Sequence, residues 1–184
     1  MKAAIIFHGT AGNPEENWFP WLKKEMKMLD YKVIIPQFPT PKGQSPETWF
    51  RVFENYKKDI DKDTILIGHS LGGGFLLRVL EKLGTKVKAA VFVAASIGIK
   101  PIKYYETDRP FVEKPFDWKK IRSKTDNFLV FHSDNDKLVS IGNGKKLAKE
   151  LKTELIVVLN AGHFNRAAGY LKFELMLEKI KNLL

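Results

Sequence analysis

The chain has no cysteine among its 184 residues. Disulfides, thiolate metal sites and a cysteine nucleophile are therefore excluded, and any covalent catalysis must use another side chain. The chain also lacks an apolar run near the roughly 20 residues that cross a bilayer. Its opening segment, Met1–Phe7, gives way to His8-Gly9 before it could form a secretory h-region of about 7–15 apolar residues. We therefore expect a cytoplasmic protein with no membrane contact.

The formal net charge is +10 and the isoelectric point is near 9.6. Clustered Lys and Arg would indicate a phosphate-bearing partner. Here acidic residues interrupt the basic ones, as in segments 145–154 and 172–181, which is typical of solvated helix faces. No recognition motif accompanies the charge, so the pattern argues against nucleic acid as the main partner and leaves a small molecule as the expected one.

Six short apolar runs alternate with amphipathic stretches along the chain. The runs lack a clean alternation of apolar and polar residues, as strands covered on both faces do. They are Ala3–Phe7, Lys32–Ile35, Thr64–Ile67, Lys88–Ala94, Asn127–Phe131 and Glu154–Leu159. Strand followed by helix, six times over, predicts one α/β domain over residues 1–184, with a mostly parallel sheet and helices on both faces. In such sheets ligands bind beyond the carboxyl ends of the strands.

Apolar residues at three- and four-residue steps predict helices near 18–29 and 75–83 and a closing helix over 171–184. The segment 96–115 shows neither a helical nor a strand period and holds three prolines. A connection of this length is usually functional, so we expect a lid or binding loop at 96–115, followed by a short helix over 116–122.

The third run leads directly into Gly68-His69-Ser70-Leu71-Gly72, and a helical pattern follows. A G-x-S-x-G sequence alone is common in turns, but the strand before it and the helix after it are what a nucleophile elbow requires. The segment contains neither G-x-G-x-x-G nor a P-loop pattern, which argues against a phosphate-binding turn. Ser70 is the predicted nucleophile. Because a serine hydroxyl needs a base to take its proton, a histidine and an acid should follow later strands.

Both residues are present. Asp134 and Asp136 follow the fifth run, and His163 follows the sixth. The order serine, acid, histidine is that of the α/β-hydrolase triad. We favour Asp136 as the acid, because its spacing to Val139 resembles the acid loop of that superfamily, and Asp134 stays open as the alternative.

The loop after the first run, which includes Gly9 and Gly12, is the candidate oxyanion loop. The oxyanion of a tetrahedral intermediate needs two hydrogen-bond donors. One is the backbone amide of Leu71, the residue after the nucleophile, and the other comes from the loop after the strand beside the nucleophile strand. Thr10 is the predicted second donor, with Ala11 as the alternative.

Three further histidines, His8, His69 and His132, lie at strand ends. No zinc-binding spacing links them, so packing or support roles are expected, with no metal and no cofactor. The tryptophans recur mostly at helical spacing and are expected in the core, although one near segment 96–115 could line an acyl pocket. They are Trp18, Trp21, Trp49 and Trp118.

With these residues placed, the whole chain resembles the small single-domain serine hydrolases of the RBBP9/YdeN family, a compact branch of the α/β-hydrolases. The likeness is carried by Phe7-His8-Gly9, Trp18–Leu22, Ser45-Pro46-x-x-Trp49, Gly68–Gly73, Pro115-Phe116-x-Trp118, Asp136 and Gly162-His163-Phe164. The resemblance implies a three-layer sandwich with strand order 2-1-3-4-5-6 and a triad of Ser70, Asp136 and His163.

The resemblance also implies esterase-like activity toward small acyl esters. Amide cleavage by the same triad, as a peptidase or amidase, is the alternative enzyme activity. A non-catalytic protein-binding module with a vestigial triad is the alternative of another class, and the intact set of predicted residues argues against it. A retinoblastoma-binding L-x-C-x-E segment cannot exist in a chain without cysteine.

Overall fold

The six apolar runs form one parallel sheet in the computed structural model, which describes residues 2–184. Neighbouring strands follow the order β2-β1-β3-β4-β5-β6, and each pair is parallel. The strands are β1 (Ala3–Phe7), β2 (Lys32–Ile34), β3 (Ile65–His69), β4 (Ala89–Val93), β5 (Phe128–Ser133) and β6 (Leu155–Val158). The predicted α/β class and strand order are confirmed.

Helices connect the strands within residues 2–184. The α-helices are α1 (Phe19–Lys27), α2 (Pro46–Phe53), α3 (Leu71–Lys82), α4 (Tyr105–Val112), α5 (Trp118–Arg122), α6 (Ile141–Leu151) and α7 (Glu174–Lys181). Two 3₁₀ helices cover Glu54–Asp59 and Arg166–Ala168. In this part of the chain, no helix is both long and apolar enough to cross a bilayer.

The alternation of side chains along each strand divides the core into two clusters. In β1, Ile5 and Phe7 face the cluster formed with α2 to α6, whereas Ala4 and Ile6 face the cluster formed with α1 and α7. Because both faces of the strands are covered, the strands are apolar on both sides. The sheet is therefore the middle layer of a three-layer sandwich.

The segment 96–115 differs from its prediction, because α4 lies within it. Pro110 stands inside this helix, which disrupts helical hydrogen bonding and conceals the helix from sequence patterns. The helix forms because Phe111 and Val112 are buried against the core on the α3 side of the sheet. Tertiary packing here overrides a poor local propensity.

Two other helices also differ from the sequence analysis. Helix α2 was not predicted; the Thr48 amide donates to Ser45 Oγ at 3.2 Å, and Pro46 occupies the first turn. Both are strong start signals for a helix. The closing helix is shorter than predicted, because residues 171–173 precede the start of α7 at Glu174.

Candidate active site

Ser70 sits at the turn between β3 and α3, at the carboxyl end of the sheet. Its backbone has φ 56° and ψ −125°, a region that residues with a side chain rarely occupy. Strain of this kind persists only where the surrounding structure enforces it, and it is typical of a nucleophile elbow. The turn presents the Ser70 side chain at the start of α3, where the first helical amides lack partners within the helix.

The sharpness of this turn depends on two glycines. A Cβ on Gly72 would lie 2.1 Å from the carbonyl oxygen of Phe7, and one on Gly68 would lie 2.6 Å from the Cα of Gly73. Both positions face backbone, which cannot move aside as the end of a flexible side chain can. The glycines therefore let α3 pack directly against β1 and β3.

His163 and Asp136 form a close pair beside the elbow. His163 follows β6, Asp136 follows β5, and His163 Nδ1 lies 2.7 Å from Asp136 Oδ2. The Asp136 side chain is fully buried, and its Oδ1 accepts the amides of Leu138 at 2.8 Å and Val139 at 3.1 Å. Burial alone would raise the pKa of this carboxyl, but the hydrogen bond and charge of His163, with both amides, hold the pKa below its usual value. Asp136 is therefore a carboxylate that orients the imidazole.

The alternative acid, Asp134, points elsewhere. Its Oδ1 accepts the amide of Asn160 at 2.8 Å and so fastens the loop after β5 to the end of β6. The structure thus brings Asp136, and not Asp134, to His163.

Ser70 and His163 line the same pocket. Asp136 occupies Nδ1 of His163, which leaves Nε2 for the pocket. Within residues 2–184, Ser70 Oγ forms no hydrogen bond, so the bond between nucleophile and base is not made in this structure. Such bonds often tighten only when substrate is bound.

The candidate oxyanion loop, which carries Thr10 and Ala11, lines the same pocket as Ser70, the residue before Leu71. Within the described part of the chain, the backbone amides of Leu71 and Thr10 have no hydrogen-bond acceptor, whereas the amide of Ala11 donates to Thr40 Oγ1 at 2.7 Å. An engaged donor is less available to an oxyanion. The geometry therefore favours Thr10 over Ala11 as the partner of Leu71, an assignment that stays a prediction.

The three other histidines are buried and support the loops around the site. His69 Nε2 lies 2.8 Å from the carbonyl oxygen of His163, and His132 Nε2 lies 3.0 Å from that of Val139. Because a carbonyl can only accept, each Nε2 must carry the proton. Burial lowers the pKa of His69 to about 3 and also lowers that of His132. Sequence reasoning placed these residues at strand ends, but it could not show which loop each one holds.

No group of three or more His, Asp or Glu side chains in residues 2–184 could hold a metal ion.

The pocket has a volume of about 450 Å³. Its apolar wall is formed by Ile102, Tyr104, Leu138, Val139 and Ala167. Three ionisable residues that the sequence analysis did not identify also line it, namely Glu16, Asp108 and Arg166. No tryptophan lines it; Trp18 and Trp49 are completely buried in the core. A small apolar group with one polar end fits this lining.

Segment 96–115 contributes Ile102, Tyr104 and Asp108 to the pocket and is tied to its neighbours. The amide of Lys103 donates to the Leu138 carbonyl at 2.8 Å, and Ile102 forms a bridge with Val139. These contacts join the segment to the loop that carries Asp136. Its position on the pocket wall suits a binding loop, and movement as a lid stays a prediction.

Chemically, this arrangement can carry out acyl transfer. Ser70 supplies a hydroxyl, His163 a base with a free Nε2, and Asp136 the carboxylate that fixes its tautomer. The amides of Thr10 and Leu71 supply donors for a developing oxyanion.

Comparisons with known proteins identify the family of the chain. A family model described as "Serine hydrolase" matches residues 4–182. The YdeN protein of Bacillus subtilis is 28% identical over 169 residues, covering 92% of this chain and 89% of YdeN. The serine hydrolase RBBP9 of Rattus norvegicus is 23% identical and covers 98% of this chain and 95% of its own length.

Solved structures show the same fold. The crystal structure of the ydeN gene product matches with a TM-score of 0.92 at 26% identity, over 100% of this chain and 98% of that one. Est1E from Butyrivibrio proteoclasticus matches with a TM-score of 0.69 at 18% identity, over 98% of this chain and 88% of that one. The second likeness concerns the fold alone.

Proposed function

The chain belongs to the serine hydrolase family, within the compact RBBP9/YdeN branch, and on that premise we propose that it cleaves carboxylic esters of small acyl groups through a covalent acyl-enzyme. The observation that carries the proposal is the His163–Asp136 pair, 2.7 Å apart, in one pocket with the strained Ser70. The pocket of about 450 Å³, with its apolar wall, favours a small acyl group.

The proposed reaction has two stages. Ser70 Oγ attacks the ester carbonyl while His163 Nε2 takes the hydroxyl proton, and the amides of Thr10 and Leu71 hold the oxyanion. The intermediate collapses when the imidazolium returns that proton to the leaving alkoxide, which departs as an alcohol. Water then attacks the acyl-serine with His163 again as base, releasing the carboxylic acid and restoring the hydroxyl. Asp136 stabilises the imidazolium throughout.

The proposed partner is a small molecule met in the cytoplasm, and not a nucleic acid. The basic residues are dispersed along the sequence, and several are paired with acids, such as Lys32 with Asp59 at 2.7 Å and Arg78 with Glu81 at 3.1 Å. The proposed location rests on the sequence analysis alone.

A fluorophosphonate probe tests the nucleophile directly, because it labels an activated serine without any knowledge of the substrate. We expect labelling of the wild-type protein and loss of labelling in Ser70→Ala and His163→Ala. Ser123→Ala is the matched control, since this serine is exposed on the protein surface, and it should label normally. An unlabelled wild-type protein would show that Ser70 is not an activated nucleophile.

Hydrolysis assays test the ester specificity. p-Nitrophenyl esters of two to about twelve acyl carbons should be turned over fastest at the short end. Aminoacyl and acyl amides, assayed beside them, should react more slowly. Faster amide than ester cleavage would replace the proposal by a peptidase or amidase with the same triad.

A further inference from the structure

A buried carboxyl group lies in the pocket wall outside the triad. Asp108 belongs to α4 and is 2% exposed. Thr10 Oγ1 donates to its Oδ1 at 2.5 Å, across 98 positions of sequence. Burial raises the pKa of Asp108 to about 6, against the opposing hydrogen bonds of Thr10 and Gln44. A carboxyl so costly to ionise is seldom kept for packing alone.

The partner of Asp108 is Thr10, whose amide is the predicted second oxyanion donor. Thr10 follows Gly9, and a Cβ on Gly9 would lie 2.7 Å from Ser70 Cβ, so the loop backbone rests against the nucleophile. Only the Thr10 side chain is tied down, while its amide has no acceptor in the described residues. The hydrogen bond from the Thr10 hydroxyl thus holds the peptide of Thr10 in place and leaves its amide free to donate.

The next residue shows that the loop needs holding. Ala11 has φ 58°, a left-handed conformation that costs an alanine free energy. Its amide donates to Thr40 Oγ1 at 2.7 Å. The two peptides at Thr10 and Ala11 are therefore anchored by side chains from two other parts of the chain.

Gln44 joins the Asp108–Thr10 hydrogen bond and the Thr40 anchor of Ala11 into one hydrogen-bond network. Its Nε2 lies 3.2 Å from both Thr10 Oγ1 and Asp108 Oδ1, and its Oε1 accepts from Thr40 Oγ1 at 2.5 Å. The four side chains come from the loops after β1 and β2 and from α4. Such closed networks hold a single geometry more firmly than isolated bonds do.

We propose that Asp108 is a positioning residue of the oxyanion site, which acts through the Thr10 hydroxyl to aim the Thr10 amide at the developing oxyanion. The inference rests on the proposed function. Asp108 has no hydrogen bond to His163, whose Nδ1 is taken by Asp136, so it does not belong to the proton relay. Its task is to hold a loop.

Steady-state kinetics on p-nitrophenyl acetate test this role with paired variants. Asp108→Leu and Thr10→Val both remove the hydrogen bond, and we expect kcat to fall about 10–100-fold with KM changed less than about threefold. Asp108→Asn and Thr10→Ser keep an acceptor and a donor and should restore most of kcat. The double variant should be no worse than either single one, since both break the same bond. Glu106→Gln, an exposed acid on the same helix, is the control and should match wild type.

A second readout needs no substrate. In NMR hydrogen exchange, the Ala11 amide should lose protection in Asp108→Leu and in Thr10→Val, but not in Glu106→Gln. If Asp108→Leu does not fold, Thr10→Val tests the same hydrogen bond from its other partner. Unchanged kcat and unchanged exchange in a folded Thr10→Val protein would overturn the inference. A raised KM at constant kcat in Asp108→Leu alone would instead make Asp108 a substrate contact. Failure of the proposed function would appear as an inert wild-type protein, whatever the exchange results.

Discussion

Asp134 and Asp136 are separated by one residue, yet their side chains face different partners. Asp136 holds the His163 imidazole, whereas Asp134 caps the end of β6 through the Asn160 amide. Asp136→Asn should therefore lower kcat about 10³–10⁴-fold, because an amide no longer holds the imidazole in the required tautomer or stabilises its cation.

Asp134→Asn is the matched control for that prediction. An asparagine Oδ1 can still accept from Asn160, so turnover should stay within about twofold of wild type, since this carboxylate does not contact the imidazole. Steady-state kinetics on the same ester check both variants. The reverse result, with Asp134 essential and Asp136 dispensable, would show that the acid is wrongly assigned.

The buried His69 links stability to pH. Its pKa is about 3 in the folded protein, whereas a histidine in the unfolded chain has a pKa near 6.5. Below pH 6.5 the unfolded chain therefore binds the extra proton first. The free energy of unfolding should fall as pH drops from about 6.5 toward 3, by up to about 1.4 kcal/mol per pH unit from this residue. In His69→Gln, which keeps a donor for the His163 carbonyl, the slope should be shallower. Urea unfolding at several pH values measures this slope. The same pH dependence of the free energy of unfolding in wild type and His69→Gln would contradict the linkage.

For Asp108, the dependence of stability on pH has the opposite sign. Its pKa is raised from the ordinary 3.8 of an aspartate to about 6, so the folded protein holds the proton more tightly than the unfolded chain does. This contribution to stability is present below pH 3.8 and is lost as pH rises through about 6. At pH 8, Asp108→Asn should therefore raise the free energy of unfolding by about 1–3 kcal/mol over wild type, as measured by urea unfolding. At pH 4 the variant should be little more stable than wild type. An equal effect at both pH values would mean that ionisation is not the cause.

At the scale of elements, one side chain of α6 makes three hydrogen bonds to the start of the segment that forms one pocket wall. Asn143 is completely buried; its Oδ1 accepts the amides of Ile97 at 2.9 Å and Ile99 at 3.0 Å, and its Nδ2 donates to the Ile99 carbonyl at 2.7 Å. Asn143→Ala should lower the free energy of unfolding by about 2–4 kcal/mol, because the amides of Ile97 and Ile99 lose their acceptor.

Chemical denaturation and amide exchange at Ile97 and Ile99 check that prediction. Asn55→Ala is the comparison, since this asparagine is exposed and makes one hydrogen bond, to the Val52 carbonyl at 3.2 Å. It should change stability by less than about 0.5 kcal/mol. Faster exchange in both variants would show that the tether is not specific to Asn143.

The elements differ in how far sequence could predict them, and the reason is whether the signal is local. The elbow at Ser70 was found because strand, glycine and helix signals adjoin one another in the chain. Helix α4 was missed because Pro110 hides a helix that only burial of Phe111 explains. Asp108 was missed as well, since its pairing with Thr10 spans 98 positions and leaves no local pattern.

At the scale of the whole molecule, the net charge of +10 predicts nonspecific attraction to polyanions. Because the basic residues are dispersed, this attraction should be weak and strongly dependent on salt. Fluorescence anisotropy with labelled duplex DNA should show any binding at about 20 mM salt disappear by about 150 mM. Ester turnover should persist across that range. Affinity retained at high salt would reveal a nucleic-acid site that the sequence pattern does not indicate.

The parallel sheet also constrains the order in which the molecule can assemble. None of its five strand pairs can form as a local hairpin, since parallel neighbours need a crossover between them. Each pairing therefore waits for a long chain closure, which makes folding slow compared with helical proteins of similar size. Ser70 depends on β1 and β3 near the middle of the sheet, whereas His163 follows β6 at its edge. Ser70 therefore acquires its general base only once β6 has paired with β5. Before that point in folding, the serine hydroxyl is not activated.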